Sequence, residues 1–210
     1  MGGTMTAEPL SESVTKADPA RTTGRMWPVP PDGGWTVDHL FSLPDLPPHT
    51  QLLDGSLVFV SPQRAFHGLV ITLLENGLRR FVPAEFKVRR EMTIVIDKRN
   101  GPEPDISVVS AAAEADTDQT FYKAVDVLLA VEVVSPESAA RDRDTKPHKY
   151  ANAGIPHFWR VESEDGRPVV EAFELAEGTT AYARTGVHRD RLKLSTPFDI
   201  DIDLSSIDEL

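Results

Sequence analysis

Apolar residues follow two rhythms along this chain. From His67 to Val82 they recur at Leu69, Leu73, Leu74 and Leu78, the spacing of one helix face, and Pro83 closes the run. FKVRREMTIVID (residues 86–97) instead alternates charged and apolar positions, as a half-exposed strand does. PDISVVS (104–110) and VDVLLAVEVVS (125–135) are β-branched runs whose only charges are acids, which fits central strands. HFWRVES, RPVVEAFEL and TTAYARTG read as further strands, before the acidic end FDIDIDLSSIDEL.

Punctuation sets the rest. Asp54-Gly55 joins two short strands within LPPHTQLLDGSLVFVSP, because this dipeptide accepts the left-handed angles of a tight hairpin. A second helix is expected near residues 145 to 153, starting close to Lys146, since Pro147 is tolerated in a first turn. Gly154 supplies its left-handed end and Pro156 stops it. Residues 1 to 34, rich in Ser, Thr, Pro, Gly and Glu without an apolar period, read as a mobile tail. Residues 35 to 210 then form one α/β domain with helices flanking a sheet.

Composition narrows the function. A hydrophobic content of 40% over 210 residues is ordinary for a globular chain that can bury a core. No membrane span or secretory signal is legible, and cysteine is absent, so a cytoplasmic location is expected. The net charge of −11 argues against a general nucleic-acid coat and confines any such contact to a local basic surface. Two segments are dense enough in cations. Residues 79 to 90 hold five basic residues and one acid, and residues 141 to 149 hold four Lys or Arg and two acids. Arg89, Arg90, Arg141 and Arg143 are thus the candidate DNA contacts, against the plainer reading of solvated faces.

One residue does not fit its surroundings. Glu132 stands inside the apolar run VEVV, where an ionised carboxylate costs several kcal/mol unless something positive meets it. If the two apolar strands are antiparallel neighbours, Asp105 at the start of one lies beside Glu132 near the end of the other. Two such carboxylates repel unless a cation intervenes, and oxygen-only donors favour a hard ion such as Mg²⁺. Lys146, brought back by the following helix, could orient a water or neutralise developing phosphate charge. A structural Glu132–Lys146 ion pair, with Asp105 as a turn residue, accounts for the same spacing. His67 and Glu103 are lesser candidates. Ser135 reads as a turn cap or a support for Glu132, and Tyr150 as core against Trp159.

P-D-I-S-V-V, V-E-V-V-S-P, R-D-R-D-T-K and Y-A-N-A-G-I-P-H-F-W-R-V-E, in this order, resemble the Uma family of restriction endonucleases, a branch of the PD-(D/E)XK nuclease superfamily. The likeness runs from about Leu43 to the C-terminus, through D-G-S-L-V near Asp54 and S-P-x-x-x-x-H ending at His67. It implies a restriction-endonuclease-like core, a mixed central β-sheet flanked by helices, and Mg²⁺-dependent hydrolysis of DNA, with Mn²⁺ as a substitute. Asp105 and Glu132 match the motif acids. The superfamily lysine, two residues past the glutamate, is Val134 here, and Lys146 matches the lysine of this branch. Gln51 stands where family members often carry glutamate. A homodimer is expected, because two symmetric sites cut two strands most simply. The alternative is a nuclease fold without turnover that binds nucleic acid or a protein partner.

Overall fold

The computed structural model of the chain describes residues 29–210. The expected mobile tail therefore lies outside the described residues over 1–28, while residues 29–34 form an irregular lead-in ending in a turn from Pro31 to Gly34. Helix α1 (Val37–Ser42) follows at once. Thr36 and His39 cap it reciprocally: the Thr36 side chain accepts from His39 N, and His39 Nδ1 accepts from Thr36 N at 3.1 Å. This is the capping-box arrangement with histidine in the glutamate position, which hides the helix start in the sequence.

The hairpin is where the Asp-Gly pair places it, between β1 (Gln51–Leu53) and β2 (Ser56–Val58). Asp54 and Gly55 both take left-handed angles, φ 51° and 77°. Helix α2 (Ala65–Phe81) buries His67, Val70, Ile71, Leu74, Gly77 and Leu78 on one face. Gly77 permits a close approach of the C-terminal segment, since a Cβ there would stand 2.5 Å from Ile202 Cδ1.

The half-exposed strand read over 86–97 is two strands in two sheets. β3 (Phe86–Arg90) ends where Glu91 turns the chain at φ 50°, and β4 (Thr93–Val95) leaves to pair in parallel with β6 (Phe121–Lys123). Three charged residues in a row, Arg89-Arg90-Glu91, interrupt the alternation at this break. β5 (Ile106–Ser110), β7 (Val127–Val133), β8 (His157–Glu164), β9 (Arg167–Leu175) and β10 (Tyr182–His188) complete a six-stranded sheet of order β10-β9-β8-β7-β5-β3. All neighbours in it are antiparallel except β7 and β8. A parallel pair needs a long crossover, and the segment between them carries helix α3 (Lys146–Asn152). β11 (Arg191–Leu194) pairs with β12 (Ile200–Asp203), so the acidic end is a strand with Ile200 and Ile202 inward.

Two cores sandwich the sheet. One holds α2 with Leu129, Val131, Val133 and Trp159; the other holds Tyr150 and Ile155 with Ala130 and Phe158. Because successive strand residues point to opposite faces, Glu132 lies on the α3 side, between two residues of the α2 side. Tyr150 and Trp159 likewise belong to opposite faces, so Tyr150 packs against Phe158, with ring centroids 6.0 Å apart, rather than against Trp159.

Candidate active site

The register Ile106↔Val131 carries Asp105 and Glu132 to the same end of the sheet. Asp105 Oδ2 accepts from Val133 N at 2.6 Å, which ties the start of β5 to the end of β7. The two helical layers meet here. α2 brings His67 Nε2 to 3.0 Å from Asp105 Oδ1, and α3 brings Lys146 Nζ to 2.7 Å from Glu132 Oε2. The partner of the buried glutamate is therefore Lys146, joined by Tyr150, whose hydroxyl donates to Glu132 Oε1 at 2.6 Å.

The helix that supplies both partners begins earlier than its proline suggests. Ala139 and Ala140 are already helical, and Arg141–Thr145 form a wide turn in which Lys146 N donates to Arg141 O, five residues back. Pro147, following directly, would clash in a regular helix interior, and the widened turn removes the i−4 bond it would have broken. The same turn places Asp142 one helical step before Lys146. Asp142 is 2% exposed, and its Oδ1 lies 3.3 Å from Lys146 Nζ, too poorly aligned to count as a hydrogen bond. Sequence reasoning misses Asp142. The signal available is its i, i+4 relation to Lys146, which Tyr150 shares on the other side.

The electrostatics follow from burial among like charges. Burial pushes the Glu132 carboxyl well above the ordinary range; Lys146 draws it back, while Asp142 and Asp105 push it further up. Burial alone would lower the Lys146 ammonium, but Glu132, Asp142 and Asp105 outweigh it and the net shift is upward. Burial, then the Glu132 carboxylate, raises the Tyr150 phenol, so it remains a donor. His67 is also raised: burial would lower it, and Asp105 prevails. Tyr150→Phe would strand Glu132 Oε1 without its donor and is expected to cost about 1–3 kcal/mol of unfolding free energy. Urea denaturation measures this, and an unchanged midpoint would mean that the hydroxyl carries no weight.

A cleft of about 190 Å³ opens over this floor, lined by Asp105, Glu132, Asp142, Lys146, His67 and Gln51 among others. Gln51 Oε1 accepts from Glu103 N at 3.3 Å, so the amide also ties the hairpin to the approach to β5. Glu103 pairs with His49 at 2.6 Å, and burial raises its carboxyl. Ser135 closes the turn after β7, its Oγ accepting from Ser138 N at 3.2 Å.

The four candidate DNA-contact arginines separate. Arg141 lines the cleft, whereas Arg89, Arg90 and Arg143 are not among its lining residues. Arg89 is engaged by Tyr122 and Glu114, Arg90 by Glu91, and Arg143 by Glu162 through two bonds of 2.8 Å. Arg64, unremarked in the sequence, stands in the cleft wall instead.

The fold has a solved counterpart. The crystal structure of "a putative nuclease belonging to DUF820 from Anabaena variabilis ATCC 29413" superposes with a TM-score of 0.64 at 12% sequence identity, covering 82% of this chain and 96% of that one. At this identity the likeness speaks for the fold. No curated protein matches the sequence. The family model Uma2, described as "Putative restriction endonuclease", matches residues 37–205, which takes in the hairpin, both strands of the acid pair and the helix bearing Lys146. The chain belongs to the Uma2 family of restriction-endonuclease-like proteins.

Proposed function

We propose that this protein is a Mg²⁺-dependent endonuclease that hydrolyses phosphodiester bonds in DNA at the cleft above Asp105 and Glu132. The observation that carries the reading is the excess of acid there. Asp105, Glu132 and Asp142 converge on Lys146, two of them almost wholly buried. Family membership supports a nuclease, and restriction-endonuclease-like families generally use divalent metals.

The residues fit such an ion. Mg²⁺ is usually held by one or two carboxylates with water completing its shell. Among the described residues no group of three or more His, Asp or Glu is placed to hold a metal ion, so the ion would rest on two carboxylates and water. Asp105 and Glu132 would hold the ion. A carboxylate has about four lone-pair positions, so the bonds from Lys146, Tyr150 and Val133 N leave acceptor capacity on both. Mn²⁺ suits the same oxygens. When bound, the ion would polarise the phosphoryl oxygens and lower the pKa of a water.

Lys146 stays charged among three carboxylates and so cannot take a proton from water. Its part is to orient the attacking water and to stabilise the negative charge that grows on the phosphate. Tyr150 fixes the Glu132 carboxylate from the opposite side. Two copies of the chain would supply the two cuts that a duplex requires.

The test is supercoiled plasmid incubated with the protein in Mg²⁺, in Mn²⁺ and in EDTA. Nicked or linear product only with metal is expected. Ligand binding to the folded state raises its stability by mass action, so Mg²⁺ should also raise the melting temperature, and Asp105→Asn should remove that increase. Metal without effect on either readout would overturn the reading. A second reading, a module that binds nucleic acid without cutting, draws on Gln51, whose amide brings no charge to the site. It predicts DNA binding with plasmid left intact.

A further inference from the structure

Three segments meet at the mouth of the cleft. Arg64 is the residue preceding α2, Glu137 lies in the turn after β7, and Arg141 opens the widened turn before α3. All three line the cleft that holds Asp105, Glu132 and Lys146. Arg64 Nη2 donates to Glu137 Oε1 at 3.3 Å, and Arg141 Nη2 donates to the Glu137 carbonyl oxygen at 3.2 Å. The two guanidiniums thus converge on one residue, Arg64 at its carboxylate and Arg141 at its backbone carbonyl. Its turn is stiffened by Ser135 and Ser138, whose hydroxyls lie 3.0 Å apart.

The start of α2 has no side-chain cap and no acid in its first turn, so its free N–H groups and dipole favour an anion. Three residues beyond Arg64, His67 is 5% exposed and lines the cleft, and its Nδ1 has no hydrogen-bond partner. On a chain of net charge −11, this is the place in the cleft wall where cationic side chains gather.

We propose that Arg64 and Arg141 form a phosphate-contact pair at the cleft mouth, in which the Glu137 carboxylate engages Arg64 in the free protein and a DNA backbone phosphate displaces it to meet both guanidiniums. This rests on the nuclease reading above and specifies how the site grips its substrate. Guanidiniums suit the role because their forked donors match phosphate oxygens as well as carboxylate. The Arg64–Glu137 contact is weak enough to yield: both side chains are at least half exposed, and such pairs contribute little. A backbone phosphodiester carries the same single negative charge as the carboxylate, but its two free oxygens can accept from both guanidiniums together, in the cleft that Asp105 and Glu132 also line.

Labelled duplex binding in Ca²⁺, which suppresses cutting, tests this over a series of salt concentrations. Each phosphate contact contributes about 0.9 to the slope of log affinity against log salt, so the Arg64→Ala/Arg141→Ala pair should lower it by about 1.8. Glu137→Gln should act in the opposite direction and tighten binding several-fold, because it removes the competing carboxylate. A general loss of structure could not produce that gain. Arg89→Ala/Arg90→Ala serves as the comparison. If the wild-type protein binds but the Arg64/Arg141 variant keeps its slope, or if Arg89/Arg90 alone lowers it, the pair is not the contact. If Glu137→Gln leaves affinity unchanged or weaker, displacement is wrong. If the wild-type protein binds no DNA at low salt, the nuclease reading itself fails, and this inference with it.

Discussion

Asp105→Asn and Glu132→Gln are each expected to abolish DNA cutting while leaving the protein folded. Both changes remove charge at nearly constant volume. In Glu132→Gln the new amide would keep an oxygen for Lys146 and a polar group for the Tyr150 hydroxyl, and Asp142 would remain beside Lys146. The fold therefore has replacements for what the carboxylate supplied. The proposed ion has none, because a neutral amide cannot balance its charge. Substituting groups that merely support metal ligands commonly costs 10- to 100-fold in metal affinity or activity, so loss of a ligand should cost at least about 100-fold. Plasmid cleavage in Mg²⁺ measures it, with circular dichroism melting as the control for folding. Cutting at the wild-type rate in either variant would refute the assignment.

The largest effect on stability is expected at Lys146. Lys146→Ala leaves Glu132 and Asp142 facing each other in the interior without a cation, and breaking a buried pair from one side costs about 3–5 kcal/mol. For a domain of this size that is a fall in melting temperature on the order of 10 °C. The deficit should also depend on pH. Glu132 titrates above its ordinary value in the folded state, so stability from this group is present at low pH and lost as pH rises through the folded value. Lys146 restrains that loss by favouring the carboxylate. Without it the loss deepens, and the difference between variant and wild type should be larger at about pH 8 than at about pH 5.5. A deficit independent of pH would mean that lost packing, rather than the stranded carboxylates, accounts for the cost.

The linear pattern of residues was enough to find the central strands, the acid pair and the residue out of place. Runs such as ISVVS and VLLAVEV have the β-branched, two-faced apolar character of central strands, and Glu132 inside one of them demands a positive neighbour because water cannot reach it. The family motifs located Lys146 on the next helix. Asp54-Gly55 fixed the hairpin through backbone sterics, which act locally and so can be read locally. What lay beyond reach came from contacts between segments far apart. The turn at Glu91 sends the two halves of one segment into two sheets, because where β4 goes depends on pairing with β6, much later in the chain. Tyr150 looks like core in the sequence and is core, yet its hydroxyl reaches Glu132 only because β7 turns that residue toward α3. Asp142 carries a helical spacing that is legible, but its burial follows from the widened turn ahead of Pro147. Arg64 and Glu137 are 73 positions apart, and nothing in either stretch of sequence names the other. Backbone sterics and periodicity are properties of neighbours in the chain; a charge cluster assembled from distant segments is a property of the packed molecule and comes into being only when the layers meet.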